Sequence, residues 1–272
     1  MTKRIVRREG QRSLSFTSPL LARVLSSRGV LNADDLDHSL KGLLAPDSFL
    51  GIGEAATILA DALESDSSIL IVGDFDADGA TSCTLMVTAL RAMGARQVNY
   101  LVPDRFKFGY GLTPEIVDVA VQFKPAVIVT VDNGIASVEG VAHANTLGIS
   151  VVVTDHHLPG RELPAAAAIV NPNQAGCEFP SKSLAGVGVA FYLLSVLRTE
   201  LRSKGWFAHH AEINLASFLD LVALGTVADV VPMDQNNRRL VEEGIRRIRG
   251  GHCRPGLKAM LLTAGVNPQH LT

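Results

Sequence analysis

The amino-acid sequence predicts an α/β fold: a mostly parallel sheet flanked by helices, with an N-terminal helical extension and a helical C-terminal tail. From residue 67 onward, short segments rich in Val and Ile alternate with segments of helical pattern, which is typical of parallel sheets with right-handed crossovers. The apolar segments are uninterrupted, as expected for strands covered on both faces. With 272 residues and a 47% hydrophobic composition, the chain can bury a sizeable core in one large domain or two small ones.

Residues 1–66 are predicted to form the helical extension. Helices are expected over 19–27, where Arg28-Gly29 ends the pattern, over 33–41, where Asn32 is the N-cap, and over 52–64. A basic cluster at the N-terminus is a candidate nucleic-acid contact, with a solvated tail as the alternative. This cluster consists of Lys3, Arg4, Arg7, Arg8 and Arg12.

The α/β domain is predicted to span 67–272, and its elements follow one another in a regular order. Strands are predicted over 69–72, 98–102, 126–131, 150–154 and 168–170. The helices between the first four strands are expected over 81–93, over 114–121 with Thr113 as N-cap, and over 137–147. Further helices are expected over 186–201, 215–224, 236–249 and 255–262. In such folds, ligands bind at the carboxyl ends of the strands.

Bulk composition narrows the class of protein further. The formal charge of −2 neither supports nor excludes nucleic acid, because a local basic groove can coexist with an acidic site. Three cysteines, Cys83, Cys177 and Cys253, are far apart and in no paired pattern, which argues against a disulfide framework and favours a reducing cytosol. No apolar signal segment follows the N-terminal basic residues, and the longest apolar run, 185–197, is too short to span a bilayer. A soluble cytoplasmic protein is expected.

The most informative stretch is 68–79, where a predicted strand runs directly into Asp74, Asp76 and Asp78. If the chain stays extended there, alternate side chains project to one side and the three carboxylates converge. Two such charges 4 Å apart repel by about 1 kcal/mol in water and by about 4 kcal/mol at an effective dielectric near 20. A divalent cation would turn this repulsion into attraction, so the stretch is interpreted as half of a metal site.

Three alternatives exist for these acids. An EF-hand loop also begins Asp-x-Asp-x-Asp-Gly, but its twelfth position here is Leu85 instead of Glu, and a strand precedes it instead of a helix. A haloacid-dehalogenase-like phosphatase places Asp-x-Asp after its first strand and forms a covalent aspartyl phosphate. A solvated acidic turn is the third alternative.

Polar residues at the ends of the other strands favour the metal site. Strand ends at Asp104-Arg105, Asp132-Asn133 and Asp155-His156-His157, together with the later Asp229, bring carboxylates and imidazoles to one sheet edge. Oxygen ligands with one imidazole suit Mn²⁺ or Mg²⁺. Two such ions sharing a carboxylate would activate a water and hold both oxygens of a phosphoester, which predicts metal-assisted phosphoryl hydrolysis.

Four ordered motifs then resemble those of the DHH phosphoesterase superfamily: Asp74-Phe-Asp-Ala-Asp-Gly, Val131-Asp-Asn-Gly-Ile, Thr154-Asp-His-His and Gly225-Thr-Val-Ala-Asp-Val-Val-Pro. Within that superfamily, the segments 102–112 and 180–191 resemble the RecJ exonucleases, which digest single-stranded DNA 5′→3′. The likeness covers nearly the whole chain. It implies a DHH-type α/β domain.

The resemblance implies roles for individual residues. Asp76, Asp78, Asp132, His156 and Asp229 would bind two metal ions, Mn²⁺ or Mg²⁺, and Asp132 would bridge them. His157 would contact the scissile phosphate, so that Asp132, His156 and His157 form the catalytic set.

Further residues are candidates for substrate binding. Arg105 would hold a phosphate and Tyr110 a sugar or base, although both could instead be packing or surface residues. Lys182 and Ser183 are candidate phosphate contacts beside the helix start, where Gly186 and Gly188 are expected to allow a close backbone approach.

Two departures from the family pattern stand out. Many relatives carry a His four residues before Asp76, where this chain has Val72, so Asp74 is expected to complete the first metal's ligands. RecJ proteins also continue into a C-terminal domain with a Gly-Gly-His motif and a nucleic-acid-binding barrel, so this chain is interpreted as the N-terminal catalytic half. Such a half is expected to show weak activity on its own.

The predicted function is that of a metal-dependent 5′→3′ exonuclease that hydrolyses single-stranded DNA to mononucleotides in DNA repair and recombination. An oligonucleotide or cyclic-dinucleotide phosphodiesterase is the alternative within enzymes. A catalytically silent module that binds DNA or a protein is the alternative of another class. Expected partners are single-stranded DNA and replication or repair proteins such as a single-strand-binding protein.

Overall fold

The computed structural model describes residues 4, 6, 14, 15 and 17–271. Of the N-terminal basic cluster, only Arg4 lies within the described residues; Lys3, Arg7, Arg8 and Arg12 lie outside them. The predicted nucleic-acid contact of this cluster therefore stays a prediction.

A parallel five-stranded sheet with the order β2-β1-β3-β4-β5 forms the centre of the described chain. The first strand is paired on both sides and is continuous with the acidic stretch. The strands are β1 (Ile69–Gly73), β2 (Val98–Leu101), β3 (Val127–Val131), β4 (Ser150–Thr154) and β5 (Ala168–Val170). All five predicted strands are confirmed, with bounds that agree within one residue.

Helices cover both faces of the sheet and also lie before and after it along the described chain. They are α1 (Pro19–Ser26), α2 (Ile52–Glu64), α3 (Ala77–Ala92), α4 (Arg105–Phe108), α5 (Pro114–Ala120), α6 (Val138–Thr146), α7 (Gly186–Ser203), α8 (Leu219–Ala228), α9 (Gln235–Arg249) and α10 (Pro255–Thr263). The predicted mostly parallel α/β class with flanking helices is confirmed.

The alternation of side chains along β1 explains the two layers. Ile69 and Ile71 belong to the larger core, which includes apolar residues of α2, α3, α7 and α8. Leu70 and Val72 point the other way and pack with residues of α5 and α6. Because both faces of the strand are covered, its sequence is apolar throughout.

The predicted helix over 33–41 is wrong. Two 3₁₀ turns, Ala33–Leu36 and Leu40–Gly42, stand in its place. Asn32 caps the first turn and exchanges hydrogen bonds with Asp35, but no residue of Ala33–Leu36 is buried, so no apolar face stabilises a longer helix. The Asp37 carboxylate then accepts a hydrogen bond from the Ser39 amide at 2.9 Å. This contact forms a separate local turn directly after Ala33–Leu36.

The start of α3 also differs from the prediction. The helix begins at Ala77 instead of Thr81, and Asp76 is its N-cap, accepting a hydrogen bond from the Gly79 amide at 2.9 Å. The chain is therefore not extended past Asp76, in contrast to the expectation from the sequence. Asp78 lies in the first helical turn, and tertiary contacts determine where its carboxylate points.

Within the described residues, no single helix is both long and apolar enough to cross a membrane. One sharply bent pair, Leu40–Ser48 with Ile52–Glu64, would pass by length and composition alone.

Candidate metal centre

The register of the sheet places three motif residues at one level. Gly73 of β1 pairs with Val131 of β3, and Val131 pairs with Thr154 of β4. The residue after each of these is an aspartate, namely Asp74, Asp132 or Asp155. The carboxyl ends of parallel strands thus bring acids that are distant in sequence to one edge of the sheet.

Asp78 is held by the start of another helix. Asp78 is 1% exposed, and its carboxylate accepts hydrogen bonds from the backbone amides of Gly186, at 2.6 Å, and Val187, at 2.9 Å. These are the first two residues of α7, so the free amides and the dipole of that helix stabilise the negative charge. The burial of Asp78 shows that this acid does not belong to a solvated turn. The EF-hand alternative is also wrong, because Leu85, its twelfth residue, is fully buried in α3.

Asp132 has a left-handed backbone with φ of +61°, which is uncommon for a residue other than glycine. The next side chain, Asn133, supports this turn by donating to the Val72 carbonyl at 3.1 Å and to the Val131 carbonyl at 2.9 Å. On its other side, α7 lies so close that a Cβ on Gly186 would be 2.6 Å from the Asp132 Cβ. The predicted close backbone approach is therefore present at Gly186.

His156 lies in the middle of the acids. Its Nε2 atom is 3.1 Å from Oδ1 of Asp132, 3.5 Å from Oδ2 of Asp229 and 4.0 Å from Oδ2 of Asp78. Asp229 reaches this point as the C-cap of α8, after a helix that includes Gly225–Ala228. The structure thus brings four predicted ligands from four separate motifs into one small volume.

The candidate ligands form three overlapping groups. In each group, one ligand atom per residue lies within 4.8 Å of the others. Asp132 belongs to two of these groups and so does His156, as expected for residues between two neighbouring sites. The groups are Asp74 with Asp76 and Asp132; Asp78 with His156 and Asp229; and Asp132 with His156 and His157.

Crowding and burial disfavour the charged forms of these acids. Burial, followed by repulsion from Asp76, raises the pKa of Asp132 to about 9. Burial and the Asp132 carboxylate raise the pKa of Asp78 well above its usual value. Burial is also the main cause of the raised pKa values of Asp74 and Asp229. The protein's own groups therefore do not neutralise the negative charge of this cluster when all of its acids are ionised.

Several buried polar atoms of the cluster have no hydrogen-bond partner within the described part of the chain. They are Oδ1 of Asp132, Nε2 of His156 and Oδ2 of Asp229. The close pair Asp132–His156 lacks the alignment for a hydrogen bond even at 3.1 Å. Buried polar atoms normally find partners, and here the Asp132 and Asp229 oxygens lie 3.1 and 3.5 Å from His156 Nε2. Carboxylates with one imidazole fit a hard divalent cation.

His157 is oriented by Asp155, a strand-end acid that the sequence places at this edge but to which it assigned no role. Its Nδ1 atom is 2.8 Å from Oδ1 of Asp155 and 3.2 Å from the Tyr110 hydroxyl. Asp155 is fully buried and also accepts from the backbone amides of His156, His157 and Ile135. The contact with Asp155 therefore holds the His157 ring in one orientation.

The same contacts set the charge of this pair. Burial opposes ionisation of Asp155, but hydrogen bonds from His157 and Ile135 outweigh it and lower the pKa of the carboxyl group. The hydrogen bond to Asp155 raises the pKa of His157 to about 9, although burial opposes this. The sequence places Asp155 at this edge because it follows a strand with three consecutive valines, much as Asp74 and Asp132 follow their own strands, but its contact with His157 was not predicted.

Arg105 and Tyr110 lie beside the cluster. The Arg105 guanidinium carbon is 4.0 Å from the ring centroid of Phe75, the residue between Asp74 and Asp76. The Tyr110 hydroxyl donates to the Asp132 carbonyl at 3.3 Å, and burial is the main cause of its raised pKa. Arg105 begins α4, a short helix that was not predicted, and Tyr110 follows two residues after its end.

Lys182 and Ser183 form hydrogen bonds within the protein. The Lys182 ammonium donates to the carbonyls of Pro172 and Cys177, at 2.7 Å each, and so stabilises the loop before α7. The Ser183 carbonyl accepts from Asn237 at 2.6 Å, which connects this loop to α9. These contacts give both residues a structural role, and their phosphate contacts stay a prediction.

Comparison with known proteins identifies the class. The model of the DHH family, N-terminal domain, matches residues 68–226, which contain the whole sheet and every candidate ligand except Asp229. The chain belongs to the DHH family. This membership also excludes the haloacid-dehalogenase alternative for the acids that follow β1.

The most specific likeness is to RecJ proteins. The chain is 59% identical over 255 residues to the single-stranded-DNA-specific exonuclease RecJ of Salmonella typhimurium, covering 93% of this chain and 44% of the relative. It is 39% identical over 252 residues to the Bacillus subtilis RecJ, covering 91% of this chain and 30% of that relative. The chain thus spans less than half the length of these curated relatives.

Solved structures agree with this likeness. A crystal structure of RecJ from Thermus thermophilus in complex with Mn²⁺ matches with a TM-score of 0.75 and 32% identity, over 92% of this chain and 34% of that one. A second crystal structure, of exonuclease RecJ bound to manganese, matches with a TM-score of 0.71 and 34% identity, over 83% of this chain and 55% of that one.

Proposed function

We propose that the protein to which this chain belongs is a metal-dependent 5′→3′ exonuclease that hydrolyses single-stranded DNA to mononucleotides in DNA repair and recombination. The observation that carries this proposal is the convergence of Asp76, Asp78, Asp132, His156 and Asp229 from four motifs at one sheet edge. The RecJ relatives, named as single-stranded-DNA-specific exonucleases, supply the substrate and the reaction.

The cluster would hold two divalent cations, with Mn²⁺ favoured by the manganese-bound RecJ structures and Mg²⁺ as the alternative. Asp132 would be shared between the ions, since it belongs to two of the three ligand groups. Asp74 would take the place of the histidine that many relatives carry where this chain has Val72. Such ions activate a water and neutralise charge on the reacting phosphate.

The residues of the chain itself orient the substrate. Asp155 occupies Nδ1 of His157, so Nε2 is the ring nitrogen left to donate toward a phosphate oxygen, and the His157 side chain is 45% exposed. Arg105, stacked on Phe75, offers a planar guanidinium to a backbone phosphate. Tyr110 has its hydroxyl bound to the Asp132 carbonyl, so its ring is the part available to a sugar or base.

The test is release of 5′ mononucleotides from single-stranded DNA by the full-length protein with Mn²⁺. Asp132→Ala removes a shared ligand and is expected to lower kcat by at least about 100-fold, whereas the control Asp61→Ala, on the exposed face of α2, keeps parental activity. Undiminished hydrolysis by Asp132→Ala would eliminate this mechanism. Removing Mn²⁺ is expected to abolish activity, and adding Mn²⁺ back is expected to restore it.

Two alternatives are separated by further measurements. An oligonucleotide or cyclic-dinucleotide phosphodiesterase would prefer short substrates over long single strands, which a chain-length series resolves. A silent binding module would show no divalent-ion binding by calorimetry, with or without Asp229. The same proposal includes a cytoplasmic location and binding to a single-strand-binding protein. It also includes a domain boundary at residue 67, between the helical extension and the α/β domain.

A further inference from the structure

An uncharged groove runs along the outer edge of the sheet, between α3 and β2. One wall is a stripe of exposed small residues on α3, spaced four apart: Ala80, Thr84 and Thr88. The groove encloses about 310 Å³. That volume is at the small end of the about 300–1,000 Å³ usual for small-molecule pockets, so it suits one compact group.

The other wall consists of Tyr100 and Val102. Tyr100 pairs in register with Ile71, whose side chain faces the core beneath α3, so Tyr100 lies on the same face of the sheet. Because β2 is the last strand in the sheet order, no further strand of the described chain lies beyond it to flank its side chains. Tyr100 is 59% exposed and Val102 is 42% exposed. An aromatic ring and a branched side chain thus line the groove opposite α3.

Among the described residues that line this groove, none carries a charge. The Thr84 hydroxyl is satisfied inside the helix, donating to the Ala80 carbonyl at 2.8 Å, so it does not compete for a ligand. Exposed helix faces normally carry charged side chains, and an uncharged, partly aromatic surface is a feature of binding sites.

The position of the groove indicates what occupies it. It begins at Ala80, in the first turn of the helix whose N-cap is Asp76, so its mouth lies about 6 Å along the helix from a candidate metal ligand. The Phe75–Arg105 stack adds an exposed ring and a cation beside the same acids. A cation next to the metal centre and a neutral groove beyond it complement a single strand, in which an anionic phosphate alternates with a flat, uncharged base.

We infer that this groove binds one nucleobase of the DNA strand whose phosphodiester lies at the metal centre, with the base against Tyr100. This inference rests on the proposed function and extends it by naming a base subsite. The contact is a stack on the face of the Tyr100 ring, which every base can form, so binding there is tolerant of sequence, as in other single-strand sites built on stacking.

The test uses the full-length protein with Mn²⁺ and single-stranded oligonucleotides in which one base at a time is replaced by an abasic residue, over the first positions from the attacked end. At one position, loss of the base is expected to lower kcat/KM by about 5- to 100-fold, the range for one base–aromatic stack. Thr84→Tyr, which fills the groove, and Tyr100→Ser, which removes the ring, are expected to abolish the difference between the intact and abasic substrates at that position.

Thr199→Tyr is the matched control, because Thr199 is an exposed helical threonine whose hydroxyl bonds the carbonyl four residues earlier, as that of Thr84 does. It should keep the parental discrimination. DNA binding by fluorescence anisotropy, in an Asp132→Ala background, should show the same dependence on the base as an equal change in Kd.

Hydrolysis of bis(4-nitrophenyl) phosphate separates failure of the metal centre from failure of the base subsite, since this small diester needs the metal centre but no base. If the parent hydrolyses neither this diester nor DNA, the proposed function fails. The base subsite is wrong if DNA is hydrolysed but no position responds to base removal. It is also wrong if both groove variants keep the parental discrimination. A groove that binds another occupant, such as a protein, would give either result.

Discussion

At the scale of single residues, the site depends on side chains whose partners are remote in sequence. The strand-end acids and the pair His156-His157 could be predicted because short apolar runs lead directly into them. Their partners could not, because the contact between Asp78 and the Gly186 amide joins positions 108 residues apart. Lys182 shows the converse. Its position before a helix resembles a phosphate site, but carbonyls of its own loop bind the ammonium.

Asp155 gives the sharpest prediction at this scale. Asp155→Asn keeps the shape but removes the charged acceptor of His157 Nδ1, so kcat is expected to fall about 10- to 100-fold with little change in KM, as for partners that orient catalytic groups. The fall in kcat is measured by steady-state kinetics of Asp155→Asn, of His157→Ala and of the double variant. If Asp155 acts through His157, Asp155→Asn adds no further loss in the His157→Ala background. Two independent, multiplying losses would contradict this role.

At the scale of elements, α7 is the helix that fixes the geometry of the centre. Its apolar sequence and its start at Gly186 were predictable, as was a close approach at that glycine. How closely α7 approaches was not predictable, because the distance depends on the left-handed turn at Asp132, which faces Gly186. Similarly, α3 begins earlier than predicted because Asp76 caps it, and 33–41 forms 3₁₀ turns because it buries no face. Helix ends and short exposed helices depend on such local contacts more than on periodicity.

Gly186→Ala tests the role of α7. The added Cβ would lie 2.6 Å from the Asp132 Cβ, so the start of the helix must move away and weaken its hydrogen bond to Asp78. We expect a loss of about 1–3 kcal/mol in stability and weaker Mn²⁺ binding by calorimetry.

Gly53→Ala is the control, since a Cβ there meets no atom within 4 Å and Gly53 lies in α2, far from the acids in the chain. It should leave Mn²⁺ binding unchanged and stabilise the protein slightly, because alanine favours a helix. Equal Mn²⁺ affinity in Gly186→Ala and the parent would show that the approach of α7 is not needed.

At the scale of the whole molecule, the parallel sheet gathers charges that destabilise the metal-free fold. The sheet class and the edge at which ligands gather were predictable from alternating strands and helices. The order β2-β1-β3-β4-β5 was not predictable in the same way, since it depends on which strands pair across the whole chain. The groove beside β2 was also not foreseen, because it exists only where the last strand of that order meets α3.

The pH dependence of stability follows from the raised pKa of Asp132, about 9 against an ordinary value of 3.8. The folded state binds more protons than the unfolded state between these values, so this group's contribution to stability falls as pH rises through that window. The metal-free protein should therefore melt several degrees lower at pH 8 than at pH 6, since about 1 kcal/mol changes Tm by about 2–4 °C at this size.

Scanning fluorimetry with a chelator measures this difference. Metal-free Asp132→Asn, which lacks the buried charge, should melt above the parent at pH 8, and Mn²⁺ should raise the parent's Tm more at pH 8 than at pH 6. A metal-free Tm that is equal at both pH values and unaffected by Asp132→Asn would show that these acids do not repel as described.

The most direct test of the central claim is an anomalous-scattering map from crystals of the protein soaked in Mn²⁺. The claim is that Asp78, Asp132, His156 and Asp229, which come from four motifs, are tolerated together because divalent cations bind among them. The account predicts manganese peaks enclosed by Asp132, His156 and the neighbouring carboxylates. A well-ordered cluster with no peak at saturating Mn²⁺ would contradict it.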